Sequence, residues 1–207
     1  MLKTIALAVA CWLALSLTVA QEKKAEHQPG QAPQGQMDPM MAKWKELSTP
    51  GEAHKKLSDF AGVWETETRM WMGGEGSGQP AVSKGKSEHK MILGGRFLLQ
   101  EFKGEMMGMP MTGWGLTGYD NYAKKYIGMW VDDMSTVLAT MEGTMDKSGT
   151  VLTMFGKMDE WMTGELGKTV KYVTRFISKD KHVFEIHDMS IGEPNTKVIE
   201  VTYMRKK

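Results

Sequence analysis

Cysteine is all but missing from the chain. The single residue of this type, Cys11, sits inside an apolar run over residues 5–19. One lysine (Lys3) precedes that run and Thr18-Val19-Ala20 closes it, which predicts a secretory signal peptide over residues 1–20 with cleavage after Ala20. The run is short for a bilayer span of roughly 20 residues, which disfavours a transmembrane anchor. A lipid anchor on Cys11 would leave an even shorter apolar region. Once Cys11 is lost, the exported chain has no disulfide and no thiolate chemistry, so it must rest on a hydrophobic core in the periplasm or outside the cell.

Net charge is also lacking. The sequence has 26 Lys and Arg against 25 Asp and Glu, and removal of Lys3 with residues 1–20 leaves an even balance. That excludes the basic footprint of a nucleic-acid or anionic-membrane partner. Nor is there a second apolar stretch for stable membrane insertion.

Catalytic signatures are absent as well. There is no Gly-x-Ser-x-Gly elbow. Gly85-Lys86-Ser87 ends like a phosphate-binding loop, but Pro80 stands where the first glycine belongs and no helix follows. Asp132 and Asp133 are strand neighbours that face opposite ways, a poor carboxylate pair. Asp159-Glu160 reads as a solvated strand end. The histidines are 27, 54, 89, 182 and 187, and no HxH or HExxH spacing occurs. His182 and His187 have opposite strand parity and cannot chelate together. A haem ligand pointing inward would have to be His89 or His187, and a hydrogen-bonded or exposed histidine is the simpler reading. No cofactor is called for, and an enzyme is the weakest reading.

What is present falls into two regions. Residues 21–43 hold five glutamines and three prolines with almost no apolar periodicity, the composition of a disordered tether. The domain spans residues 44–207. It opens on a short helix, with Thr49 as N-cap, Pro50 at the first helical position and Glu52 in the first turn, ending near residues 60–62. From Val63 the period changes to two. Strand-like runs then recur at about 63–72, 82–93, 95–104, 112–119, 122–131, 135–145, 150–158, 169–178, 181–189 and 196–205. Glycine, aspartate and asparagine punctuate them. No helices alternate with the strands, which excludes βαβ architectures. About ten short strands with hairpin-length links predict an all-β, antiparallel up-and-down barrel, since closure removes two exposed edges.

Phe60-Ala61-Gly62-Val63-Trp64, opening the first strand after a short helix, resembles the Gly-x-Trp signature of lipocalin-like (calycin) proteins. There the tryptophan closes the barrel base under an arginine from the last strand, and the resemblance implies that role for Gly62, Trp64 and Arg205. Leu93-Gly94-Gly95-Arg96-Phe97-Leu98, Met107-Gly108-Met109-Pro110, Gly113-Trp114-Gly115, Gly118-Tyr119-Asp120 and Trp130-Val131-Asp132 are similar to a bacterial domain-of-unknown-function family, DUF1579, over roughly residues 45–207. One departure is Asp133-Met134, where the family pattern has a serine after the first aspartate. The resemblance implies a calycin-like barrel and brings no activity or catalytic residue.

Methionine is abundant, at 20 residues. Four of them, Met106, Met107, Met109 and Met111, crowd the stretch GEMMGMPMTG. Soft thioethers suit Cu(I), so a periplasmic copper handler is one alternative. A methionine-filled rim loop between two strands is the simpler reading. Trp64, Thr66, Thr68 and Met70 share one strand face, and that mixture resembles a pocket lining more than a dry core. Trp114, Trp130, Met141, Tyr172 and Phe184 are further lining candidates, with Arg96 and Asp132 as charged residues near the mouth. The leading expectation is non-covalent binding of a small apolar or amphipathic ligand inside the barrel. A structural or protein-binding barrel, marked by an exposed apolar patch, is a further alternative.

Overall fold

A computed structural model describes residues 34–160 and 163–207. The signal-peptide expectation, Cys11, His27 and residues 21–33 of the expected tether lie outside the described residues. Two compact units are distinguished, residues 1–41 and 42–207. Helix α1 (Gln34–Ser48) begins within the stretch expected to be structureless, so helix reaches further back than composition suggested.

Helix α2 (Glu52–Ser58) starts two residues later than the sequence predicts. Its N-cap is Gly51, whose N–H donates to His54 Nδ1 at 3.1 Å. Thr49 instead turns its hydroxyl back onto the Lys45 carbonyl. Ten strands follow: β1 (Gly62–Met70), β2 (Ala81–Ile92), β3 (Phe97–Met106), β4 (Met109–Asp120), β5 (Lys125–Asp132), β6 (Ala139–Met145), β7 (Val151–Glu160), β8 (Glu165–Ser178), β9 (Lys181–Asp188) and β10 (Lys197–Arg205). Each pairs antiparallel with its sequence neighbours, and β1 pairs with β10 to close the barrel. Closure leaves no strand edge unpaired, as expected for this architecture. Among the described residues no helix is long and apolar enough to cross a membrane.

The stretch GEMMGMPMTG is a tighter element than the loop expected from sequence. Strands β3 and β4 run up to Met106 and Met109, which face each other. Only Met107 (φ 54°) and Gly108 (φ 77°) remain between them. Two successive left-handed residues match the twist of the strands on either side.

In an antiparallel meander, successive links alternate between the two ends. Helix α2 lies with the links that include residues 93–96, 121–124, 146–150 and 179–180. Leu57 and Phe60 are buried there in one core cluster with Leu98, Tyr126, Leu152 and Met154. At the other end lie the links 71–80, 107–108, 133–138 and 189–196, with residues 163–164.

Candidate functional site

The α2 end is closed by Trp64 and Arg205, which are register partners. The Trp64 indole donates to the Phe60 carbonyl at 2.9 Å and is only 1% exposed. The Arg205 guanidinium lies 4.1 Å over the indole ring, a cation–π contact of about 0.5–2 kcal/mol. Arg205 also donates to the carbonyls of Ala61 (2.6 Å), Asp59 (2.9 Å) and Lys179 (2.8 Å). Gly62, at φ 138°, makes room for it, because a Cβ there would meet Arg205 Nη1 at 2.2 Å.

Above this base sits a polar, aromatic centre that single-strand reasoning missed. His89 of β2 and His182 of β9 both point inward and are buried. Their ring centroids are 5.9 Å apart. His182 stacks on Tyr203 at 4.2 Å and meets Trp64 edge-on. Ser87 Oγ is 2.9 Å from His89 Nε2, and Gln100 Nε2 donates to the Tyr203 hydroxyl. Thr66 Oγ1, His89 Nδ1 and His182 Nδ1 are buried with no hydrogen-bond partner among the described residues. Each such atom costs about 1–3 kcal/mol.

Burial sets the protonation of this centre. It lowers His89 to about 4, and Arg205 adds to the effect. The Phe60 carbonyl pulls His89 the other way, but its geometric hydrogen bond is the one from Trp64. Burial lowers His182 to about 3, helped by His89 and Arg205. The buried Tyr203 phenol is pushed up to about 12, with Gln100 opposing slightly. At neutral pH all three rings are therefore uncharged.

The opposite end is more open. Trp130, Met141, Phe184 and Ile186 point inward by register yet are only half-buried. Met141, Phe184 and Ile186 still pack against the core cluster, but this part of the interior is covered less tightly than the base at Trp64. Glycines shape the wall. Trp130 lies across Gly113 and Gly115, and a Cβ at residue 113 would come within 2.2 Å of the indole. The Trp130 Nε1–H donates to Asp132 Oδ2 at 2.8 Å, which anchors the ring. Nearby, Lys168 donates to Asp188 at 2.5 Å and to Glu160 at 3.3 Å. Burial opposes the Lys168 charge, but these carboxylates outweigh it and raise its pKa.

A cavity of about 150 Å³ opens at this rim, lined by Thr68, Met70, Ser83, Glu105, Met106 and Met107 among others. A larger hollow of about 290 Å³ lies outside the barrel against α2, lined by Pro50, His54, Lys55 and Met91. It lies at the α2 end, away from the methionine-lined rim.

These positions sort the sequence-derived candidates. Trp64, Thr66 and Thr68 are buried inside, and Met70 lines the rim cavity. Trp130, Met141, Asp132, Tyr172 and Phe184 also face inward. Trp114 does not. It is 57% exposed on the outer wall, because Gly113 and Gly115 take the inward positions beneath Trp130. Arg96 is not near Asp132 either. It belongs to the α2 end, where it donates to the carbonyls of Ser48 and Leu93. His187 is on the outer wall, bonded to Thr196 and Glu185, so of the two histidines proposed as inward only His89 faces the lumen.

The four clustered methionines do not converge. Met111 is buried, Met106 and Met107 line the cavity, and Met109 is exposed. Among the described residues no group of three or more His, Cys, Asp or Glu could hold a metal ion, and nothing points to metal handling.

Comparison with known proteins supports the fold. Rv2717c from M. tuberculosis superimposes with a TM-score of 0.54 at 14% identity, covering 77% of this chain and all of that one. A redesigned β-barrel (TM-score 0.39, 11% identity, 73% of this chain and 96% of the other) and a de novo fluorescence-activating β-barrel (0.41, 12%, 72% and 96%) are also found. No curated protein matches the chain. A family model described as a protein of unknown function, DUF1579, matches residues 49–205. The chain belongs to the DUF1579 family.

Proposed function

We propose that this chain is an exported binding protein that holds one end of a small apolar or amphipathic molecule in the mouth of its barrel. The observation that carries the reading is the rim cavity of about 150 Å³ lined by Thr68, Met70, Ser83, Met106 and Met107, at the same end of the barrel as the half-buried inward side chain of Trp130. A cavity of about 150 Å³ is the size that accepts a benzene-like group, and it lies below the usual range for whole drug-sized ligands. The rest of such a ligand stays at the rim. Binding gains come from desolvating the apolar end, with Thr68 and Ser83 hydroxyls available to a polar atom.

Tight hairpin 107–108 makes the cavity edge, and methionine there adapts to ligand shape. Titration with the neutral fluorophore N-phenyl-1-naphthylamine tests the idea. The expected result is saturable binding that Thr68→Phe, which fills the cavity, abolishes while circular dichroism is unchanged. Met106→Ala serves as a second variant and should alter affinity at least threefold. No saturable binding, or binding indifferent to both substitutions, overturns the proposal.

A further inference from the structure

Four of the links at the open end expose a large apolar side chain, represented by Met72, Met107, Met134 and Ile191, and Leu166 near the start of β8 adds another. Leu93 and Tyr122 are exposed at the α2 end too, but at the open end such groups recur from link to link around the mouth, and apolar patches of that kind mark interaction sites. The patch is also acidic on balance. The links 71–80, 107–108, 133–138 and 189–196 hold three acidic residues and no lysine, arginine or histidine, and within two residues of the open-end links the strands add Glu105, Asp132, Asp159, Glu160, Glu165 and Asp188 against Arg69, His187 and Lys197. At the α2 end the segments 93–96, 121–124, 146–150, 179–180 and 206–207 hold six basic residues and two acids. Some rim acids are neutralised from within the strands: Glu75 pairs with Lys197, and Glu160 and Glu165 with Lys168. The side chains of Glu105 and Glu193 have no hydrogen-bond or ion-pair partner among the described residues, and Asp133 and Asp159 accept only backbone N–H groups.

From this we infer that the open rim docks a cationic, amphipathic segment of another protein. Methionine-rich surfaces re-pack around varied apolar side chains, and an acidic surround steers and orients a basic partner. The same acids repel the anionic headgroups that attract surface-binding proteins to membranes, which favours a polypeptide over a lipid surface. The patch spans four links, wider than the rim cavity, so it suits a helix or strand laid across the mouth. This inference stands independently of whether a small molecule enters the lumen.

Isothermal titration at low salt with a synthetic 18-residue Leu/Lys amphipathic peptide tests it. A Leu/Glu peptide of the same spacing and anionic phosphatidylglycerol vesicles serve as the comparison arms. The expected result is binding of the Leu/Lys peptide alone, weakening as salt rises. Combined Glu105→Gln, Asp133→Asn, Asp159→Asn and Glu193→Gln should weaken it at least tenfold, as should combined Met107→Ser, Met134→Ser and Ile191→Ser. Lys124→Gln with Lys147→Gln at the far end should leave it unchanged. Equal binding of both peptides, binding to the vesicles only, no binding, or sensitivity to the far-end pair overturns the inference.

Discussion

The two ends of this barrel are built from opposite materials. At the α2 end, Leu57, Phe60 and Trp64 are buried to 5% exposure or less, and Arg205 ties three backbone carbonyls together under a plug helix. At the other end the strands finish in methionine, glycine and acid, and inward side chains such as Trp130 and Met141 stay half-buried. One end thus carries the tightest packing, and the proposed binding is assigned to the other. The difference also explains how the described residues, which hold no cysteine, stay together, because packing at the closed base does what a disulfide would otherwise do.

The largest effect that would break this comparison is at Trp64. Trp64→Ala should cost about 3–5 kcal/mol, as for other buried aromatic truncations, measured by urea unfolding. A cost no larger than that of a rim substitution would show that the base is not where stability resides.

Acid should act next. His89 and His182 are neutral when folded, with pKa values near 4 and 3, below their unfolded value of 6.5. The unfolded chain therefore binds more protons below that value. Stability is unaffected above about pH 6.5 and falls as pH drops towards the folded values. Between pH 6 and 4.5 the pair should remove about 3–4 kcal/mol. In His182→Phe the slope over that interval should roughly halve, and an unchanged slope would locate the acid sensitivity elsewhere.

A smaller effect is expected at Gly113. Gly113→Ala forces a methyl into the Trp130 ring and should cost about 1–3 kcal/mol, with a shift in tryptophan fluorescence because the half-buried indole must move. Smallest of all, Met107→Ser at the exposed rim should stay within about 0.5 kcal/mol, measured as the urea midpoint.

Much of the fold was legible because strand alternation is local. The two-residue period from Val63 and the glycine and aspartate punctuation gave ten strands with boundaries close to those observed. The hairpin at 107–108 is tighter than the sequence suggests, since Met-Gly carries none of the Asn-Gly signature of a two-residue turn. Which side chains face the lumen was readable along β1, where Trp64, Thr66 and Thr68 share a face. It was not readable for Trp114, where the inward places belong to glycines covered by a ring from the next strand. The His89–His182 centre was invisible for a different reason. It joins β2 and β9, which are not neighbours in the sheet, so only closure brings them together.

The central claim is that the lumen opens at the methionine rim and is sealed at α2. Methionine is distributed over both ends, so methyl-labelled methionine NMR during titration with N-phenyl-1-naphthylamine reads it directly. Shifts should be confined to Met70, Met106, Met107 and Met141, while Met91 and Met145 beside the plug stay fixed. Shifts at Met91 and Met145 with a silent rim would contradict the account.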